Sequence, residues 1–142
     1  MNDRRLRFAV AALALVGAGI AGYLTYTRLA HTVIIGATGG CETVQSSRYA
    51  ELLGIPVALL GLFSYTFVLG TAFFDTMLAR AAGAAIALAG VIFGVYLLVL
   101  QLVVIDAVCQ WCLASDLLLD ALAVACLLRL RMGLRVQAAE NP

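Results

Sequence analysis

Residues 81–105 read AAGAAIALAGVIFGVYLLVLQLVVI and carry no charged side chain. As a helix that rises ~1.5 Å per residue, this 25-residue stretch is long enough to cross the ~30 Å hydrocarbon core of a bilayer. A helix is required because a lone strand in lipid would leave its backbone groups without hydrogen-bond partners. The stretch therefore predicts a membrane-spanning helix.

Three further charge-poor stretches lie at residues 8–27, 55–74 and 111–130. Of the 142 residues, 64% are hydrophobic and 12% are charged, which is far from the composition of a soluble domain. We predict one all-α domain over residues 1–142, an integral membrane four-helix bundle. The first stretch follows three arginines, as a signal peptide would. Its apolar part exceeds the roughly 7–15 residues of such a signal, which favours a retained helix.

The arginines predict the orientation, since the chain has no lysine. Seven of the nine flank the N-terminus, the connection between the second and third spans, or the C-terminal end: Arg4, Arg5, Arg7, Arg80, Arg129, Arg131 and Arg135. The positive-inside rule therefore predicts a multi-pass protein with both termini in the cytoplasm. The long connection at residues 28–54 and the short one at 106–110 would lie on the opposite, extracytoplasmic side. Nothing in the charge pattern indicates a nucleic-acid partner.

Two cysteines stand two residues apart at the start of the fourth span, in Cys109-Gln-Trp-Cys112. Such a dithiol commonly makes and breaks disulfides. The predicted topology places Cys41 on the same side. We expect Asp106 to cap the fourth helix, whose N-terminus would then favour thiolates at the pair. Cys126 lies 14 residues beyond Cys112, ~21 Å deeper, and is predicted to be a buried apolar residue instead.

Asp116 and Asp120 follow Cys112 at steps of four residues, which places them near one face of a helix. Ionisable residues inside a span usually face an interior cavity, so this face is predicted to look into the bundle. A buried carboxyl group that stays protonated there could donate a proton to whatever the cysteines react with. Asp116 could equally lie in the headgroup zone, whereas Asp120 lies one turn deeper.

Metal binding and a static disulfide are the alternatives to redox chemistry at the Cys109–Cys112 pair. A structural metal site usually needs four ligands, and Cys41 and His31 are the further candidates nearby. The sequence thus favours redox chemistry and predicts no metal site. A non-enzymatic carrier of soft metals, or a membrane scaffold, remains an alternative hypothesis.

In combination, these features resemble the bacterial form of the vitamin K epoxide reductase family. The matching residues are Cys41-Glu-Thr-Val-Gln-Ser-Ser47-Arg-Tyr49, Gly54-Ile-Pro56, Gly61, Tyr65 and Cys109-Gln-Trp-Cys112. The resemblance implies an oxidoreductase of the bacterial plasma membrane that couples reduction of a menaquinone- or ubiquinone-type quinone to disulfide formation in exported proteins. It also implies a separate extracytoplasmic thioredoxin-like partner of the DsbA type.

Carried over to this chain, the resemblance implies a role for each candidate residue. Cys112 would face the quinone, Cys109 would exchange with the loop, and Cys41 would be the loop cysteine that attacks Cys109. Ser47 would line the quinone pocket, and we add Asp116 as a second quinone-binding candidate. Family members normally carry another loop cysteine upstream, but no cysteine precedes Cys41 here. Reduction of a quinone epoxide, as in animal relatives, is the alternative activity.

Overall fold

A computed structural model describes residues 2–36 and 39–141, so residues 37 and 38 of the long connection lie outside the description. Five α-helices form most of this part of the chain. In order, the elements are α1 (Asp3–Leu29), α2 (Gly40–Ser46), a 3₁₀ turn (Arg48–Ala50), β1 (Glu51–Leu52), β2 (Ile55–Pro56), α3 (Val57–Phe73), α4 (Met77–Val99) with a π-helical extension (Leu100–Ile105), and α5 (Gln110–Glu140). The two strands form a small antiparallel hairpin just before α3.

Three of these helices are long and apolar enough to cross a membrane: α1, α4 with its extension, and α5. These three helices confirm the prediction of a helical membrane protein. The stretch at residues 55–74 gives α3, which is apolar but has 17 residues, fewer than the ~20 of a typical span. The fourth crossing, and with it the four-helix bundle and its orientation, stays a prediction.

The long helices extend beyond the predicted spans at both ends of the chain. Helix α1 begins at Asp3 rather than residue 8, and α5 continues to Glu140 rather than residue 130. The added turns are rich in arginine, a good helix former that also keeps its charge in water. Hydropathy measures the part of a helix that lipid can cover, so it underestimates the full helix.

Packing among the long helices depends on small side chains. Helix α1 contacts α3 and α5, and α4 contacts the same two helices. Gly17 of α1 lies directly against the ring of Tyr65, where a Cβ atom would overlap the aromatic carbons. Close approach of helix backbones through such residues is typical of membrane proteins. The core therefore depends on shape complementarity between α1 and α3.

An ionic cluster joins the end of α3 to α5. Arg129 is buried and donates to the carbonyl oxygens of Thr71 and Phe74, at 3.0 and 2.8 Å. Arg80 pairs with Asp75 at 2.7 Å, and this hydrogen bond holds the pKa of Asp75 below its usual range. Carbonyl groups at a helix end lack partners within the helix, and the guanidinium group of Arg129 supplies them. Arg129, counted above as a flanking arginine, thus lies in the interior.

Candidate active site

The loop helix α2 docks against the start of α5 and brings two cysteines into contact. Cys41 is the second residue of α2, and Cys109 directly precedes α5. Their Sγ atoms are 2.7 Å apart, both residues are buried, and neither is in a disulfide. Cys112 packs against the same cluster. The structure therefore brings together the three cysteines that the sequence singled out, while their roles stay predictions.

Glycine allows α2 to come this close. Gly40, the first residue of α2, lies against the backbone carbonyl of Val108, and any Cβ atom there would overlap that carbonyl. Gly39 precedes it with a φ of +64°, in the left-handed region that glycine adopts most easily. This role of the Gly39-Gly40 pair was not predicted from the sequence. A glycine pair directly before a chemically interesting cysteine is the signal that could have shown it.

The expectation that Asp106 caps the fourth helix is wrong. Asp106 has a left-handed backbone with a φ of 53° and ends the π-helical extension of α4. Cys109 occupies the capping position of α5 instead, and Cys112 lies in the first turn. The backbone N–H of Ala107 donates to the carbonyl of Gln101, so the wide π-helical turn delays the start of α5. The pair nevertheless lies at the helix N-terminus.

Gln101 is a site residue that was not predicted from the sequence. It is 2% exposed, and its Oε1 accepts a hydrogen bond of 2.9 Å from the backbone N–H of Cys109. The signal was available, because Gln101 is a lone side-chain amide in an otherwise apolar run. π-Helical turns are also frequent at functional sites, but they leave no recognisable pattern in a sequence.

Hydrogen bonds around Cys109 stabilise its thiolate. The thiol of Cys112 contributes most, followed by the thiol of Cys41, and together with backbone N–H groups they outweigh burial and lower the pKa of Cys109 to about 6. Burial, with the neighbouring sulfur of Cys109, raises the pKa of Cys41. Since the thiolate is the form that exchanges with disulfides, Cys109 is the activated sulfur at neutral pH.

We expect the thiolate of Cys109 to form with a midpoint near pH 6, because the Cys112 thiol stabilises it. The ultraviolet absorbance of thiolates, followed against pH, measures this midpoint in a protein carrying Cys126→Ala. The signal at this midpoint should vanish in Cys109→Ala and move to higher pH in Cys112→Ala. If no thiolate forms below the ordinary cysteine range of ~8–9, the described hydrogen bonds do not activate Cys109.

A cavity of about 330 Å³ opens beside the cysteines. Its wall is mostly aliphatic, with Ser47, Gln101, Cys112 and Asp116 among the polar residues that line it. Of the three clustered cysteines, Cys112 alone lines the cavity. The three sulfur atoms thus form a series that begins with Cys41 on α2, continues with Cys109, and ends with Cys112 at the cavity.

Both quinone-binding candidates, Ser47 and Asp116, line this cavity. The hydroxyl of Ser47 donates to the carbonyl of Val44 at 2.7 Å, which leaves its oxygen lone pairs free to accept. Oδ2 of Asp116 is buried and has no hydrogen-bond partner within the described residues. Gly94 makes room for this carboxyl group, since a Cβ atom there would lie 2.9 Å from Oδ1. Asp116 is therefore an unsatisfied polar group at the cavity wall.

Asp120 does not share this position, and the prediction that its face looks into the bundle is wrong at that residue. Its side chain is exposed on the outside of α5. Each four-residue step turns an α-helix about 40° past a full revolution, so two steps from Cys112 carry Asp120 off the cavity face. Cys126 lies in the main helical core, buried as predicted.

A segment at residues 32–36 lies beside the cysteine cluster. The N–H of Ile35 donates to Tyr23 Oη and its carbonyl accepts from Trp111 Nε1, both at 2.9 Å. The rings of Tyr23 and Trp111 lie 5.4 Å apart. Ile34 packs against the cluster of Cys41 and Cys109. The backbone of this segment is thus held by Tyr23 and Trp111 next to the cysteine cluster.

No group of three or more His, Cys, Asp and Glu residues within residues 2–36 and 39–141 has the arrangement of a metal site. Comparison with models of known protein families gives a match over residues 8–127 to the one described as "Vitamin K epoxide reductase family". The matched region contains the four cysteines, Ser47, Asp116 and every residue named above as lining the cavity.

Proposed function

Because the chain belongs to the vitamin K epoxide reductase family, whose members are membrane oxidoreductases that work with quinones, we propose that it oxidises protein thiols and passes the electrons to a quinone. The proposed acceptor is a menaquinone or ubiquinone, and the proposed donor is a separate thioredoxin-like protein outside the cytoplasm of a bacterium. One observation carries the proposal: the sulfur atoms of Cys41 and Cys109 are 2.7 Å apart, and the neighbouring Cys112 lines an apolar cavity.

The residues of the cavity fit a quinone. Small-molecule sites are typically apolar, with a few polar groups that fix the orientation of the ligand. Asp116 Oδ2, buried and without a partner in the described part of the chain, can hold a proton for a carbonyl oxygen. The Ser47 oxygen, whose own proton is used on Val44, can accept from a hydroxyl group. When bound, a quinone would supply the acceptor for two electrons and two protons.

The proposed cycle begins with all three cysteines reduced and Cys109 as a thiolate. Cys109 and Cys112 give up two electrons and the proton of Cys112 as they form a disulfide, and the electrons pass, together with that proton and one from solvent, to a bound quinone. Cys41 then loses its proton and attacks Sγ of Cys109, which forms the Cys41–Cys109 disulfide and releases Cys112, whose sulfur takes up a proton in exchange. The short distance between the two sulfur atoms supports this exchange.

A dithiol of the partner completes the cycle. Its first thiolate attacks Cys41 and releases Cys109, and its second thiol then forms the partner's own disulfide and frees Cys41. Thiols with a low pKa leave faster, so the pKa of about 6 at Cys109 supports attack at Cys41. This cycle needs one loop cysteine, in keeping with the absence of any cysteine before Cys41 in the sequence.

The test is the oxidation of a reduced thioredoxin-like protein by the purified protein in lipid nanodiscs, with and without added quinone. We expect oxidation that requires the quinone, with one quinone reduced for each disulfide formed. Cys126→Ala should retain turnover within about twofold, because Cys126 is packed in the helical core away from the cavity.

Other outcomes would favour the alternatives. Reduction of a quinone epoxide by a small dithiol, with no oxidation of the protein substrate, would replace the proposal with epoxide reduction. Copper or zinc bound in a one-to-one ratio, together with no redox turnover, would support a metal carrier.

A further inference from the structure

Gln101 is a buried amide whose orientation is determined by its neighbour. The backbone N–H of Cys109 can only donate, so the atom of Gln101 that lies 2.9 Å from it must be the oxygen Oε1. The amide nitrogen Nε2 then occupies the opposite position. Gln101 lines the same cavity as Cys112 and Asp116. Within residues 2–36 and 39–141, the hydrogen bond described for the Gln101 side chain is the one from Cys109, and Nε2 takes no part in it.

The backbone of Gln101 ends α4 in the same place. Its carbonyl accepts from the N–H of Ala107 at 3.1 Å, across the π-helical turn. The two oxygens of Gln101, one on the main chain and one on the side chain, therefore both hold the connection to α5. The side chain of Cys109 makes no capping hydrogen bond to α5, and the amide of Gln101 binds the backbone N–H of this residue, which carries the activated sulfur.

We propose that Gln101 positions Cys109 through Oε1 and donates a hydrogen bond through Nε2 to a carbonyl oxygen of the quinone. The positioning of Cys109 depends only on the described contact with Oε1. The hydrogen bond to the quinone rests on the proposed function. Quinone carbonyls are acceptors only, and an amide N–H is a donor that does not lose its proton. Gln101 would thus orient the ring, whereas Asp116 can transfer a proton to it.

The test compares Gln101→Met, which keeps the volume and loses the amide, with Gln137→Met as a matched control. Gln137 is exposed near the far end of α5, so its replacement makes the same chemical change away from the cavity. The first readout is the thiolate titration of Cys109, which needs no quinone. We expect its midpoint to rise by about half a unit or more in Gln101→Met, because the sulfur loses its fixed position among its donors.

The groups that face Cys109 and titrate are Cys41 on α2 and Cys112 on α5, with Asp116 one turn further along α5. None of them changes in the variant, so a shifted midpoint reports the position of Cys109. The second readout separates the two substrates. The KM for quinone should rise roughly five- to tenfold, as for the loss of one hydrogen bond, while the KM for the thiol substrate stays unchanged.

An unmoved titration midpoint would overturn the positioning role, and an unmoved KM for quinone would overturn the quinone contact. If the unaltered protein shows no quinone-dependent oxidation, the proposed function fails and the quinone contact fails with it, but the titration still decides the positioning role. Gln101→Asn, which keeps an amide with a reach one methylene shorter, serves if methionine prevents folding. It should move both readouts in the same directions.

Discussion

Cys112→Ala will reduce quinone-dependent thiol oxidation to the rate seen without protein. Of the three clustered sulfur atoms, Cys112 alone borders the cavity, and its loss also removes the main donor to the Cys109 thiolate. Cys41 and Cys109 can still form a disulfide with each other, but no sulfur remains to deliver electrons into the cavity. The measurement is the fall in quinone absorbance during oxidation of a reduced thioredoxin-like protein, together with non-reducing mass spectrometry of the cysteine peptides.

Cys126→Ala is the matched control, because it makes the same change on the same helix inside the apolar core. We expect the Cys112→Ala protein to accumulate the Cys41–Cys109 linkage when a chemical oxidant is added, while the control turns over normally. Full turnover after Cys112→Ala would show that another group faces the quinone. The order of sulfur atoms given above would then be wrong.

Gly40→Ala will lower turnover about 100-fold, as expected for a displacement of about 1 Å in a reacting group. It removes no sulfur atom. A methyl group at residue 40 would overlap the backbone carbonyl of Val108, which cannot rotate aside as a flexible side chain can. Helix α2 must therefore move away from the start of α5, and Cys41 moves with it, away from Cys109. The measurements are turnover and the yield of the Cys41–Cys109 linkage on mild oxidation.

Gly70→Ala is the control, since a Cβ atom at that residue of α3 meets nothing within 4 Å. Cys41→Ala gives the reference value for a protein in which the loop sulfur takes no part. We expect Gly40→Ala to approach that value and Gly70→Ala to resemble the unaltered protein. A normal yield of the linkage in Gly40→Ala would mean that the close approach at Val108 is not what holds the two cysteines together.

Hydropathy predicted the three long helices well, because the free energy of placing a side chain in lipid adds up along a span. It did less well at residues 55–74, where the hairpin and the end of α3 shorten the helix to 17 residues. The burial of Arg129 could not be predicted. Its carbonyl partners, Thr71 near the end of α3 and Phe74 directly after it, lie more than 50 residues earlier in the chain.

The cysteines of the site could be predicted from their spacing and from the predicted topology, whereas the groups around them could not. A glycine that admits another backbone, as Gly40 does, looks in a sequence like any flexible residue. The π-helical turn that places Gln101 against Cys109 has no pattern in hydrophobicity. Asp106 looked like a helix cap because its residue type is common there, but a left-handed turn uses it instead.

The segment held by Tyr23 and Trp111 affects which molecules can reduce a disulfide between Cys41 and Cys109. Cys41 is 2% exposed next to it and Cys109 is fully buried, so neither of these two sulfur atoms is open to small reductants such as glutathione. Because Ile34 packs against these two cysteines, we expect a protein thiol to reach Cys41 only after the two hydrogen bonds of Ile35 have broken. A protein that docks and breaks these hydrogen bonds would reach Cys41, whereas a small free thiol would not. The Cys41–Cys109 disulfide would then be protected from reduction by small thiols until such a protein binds.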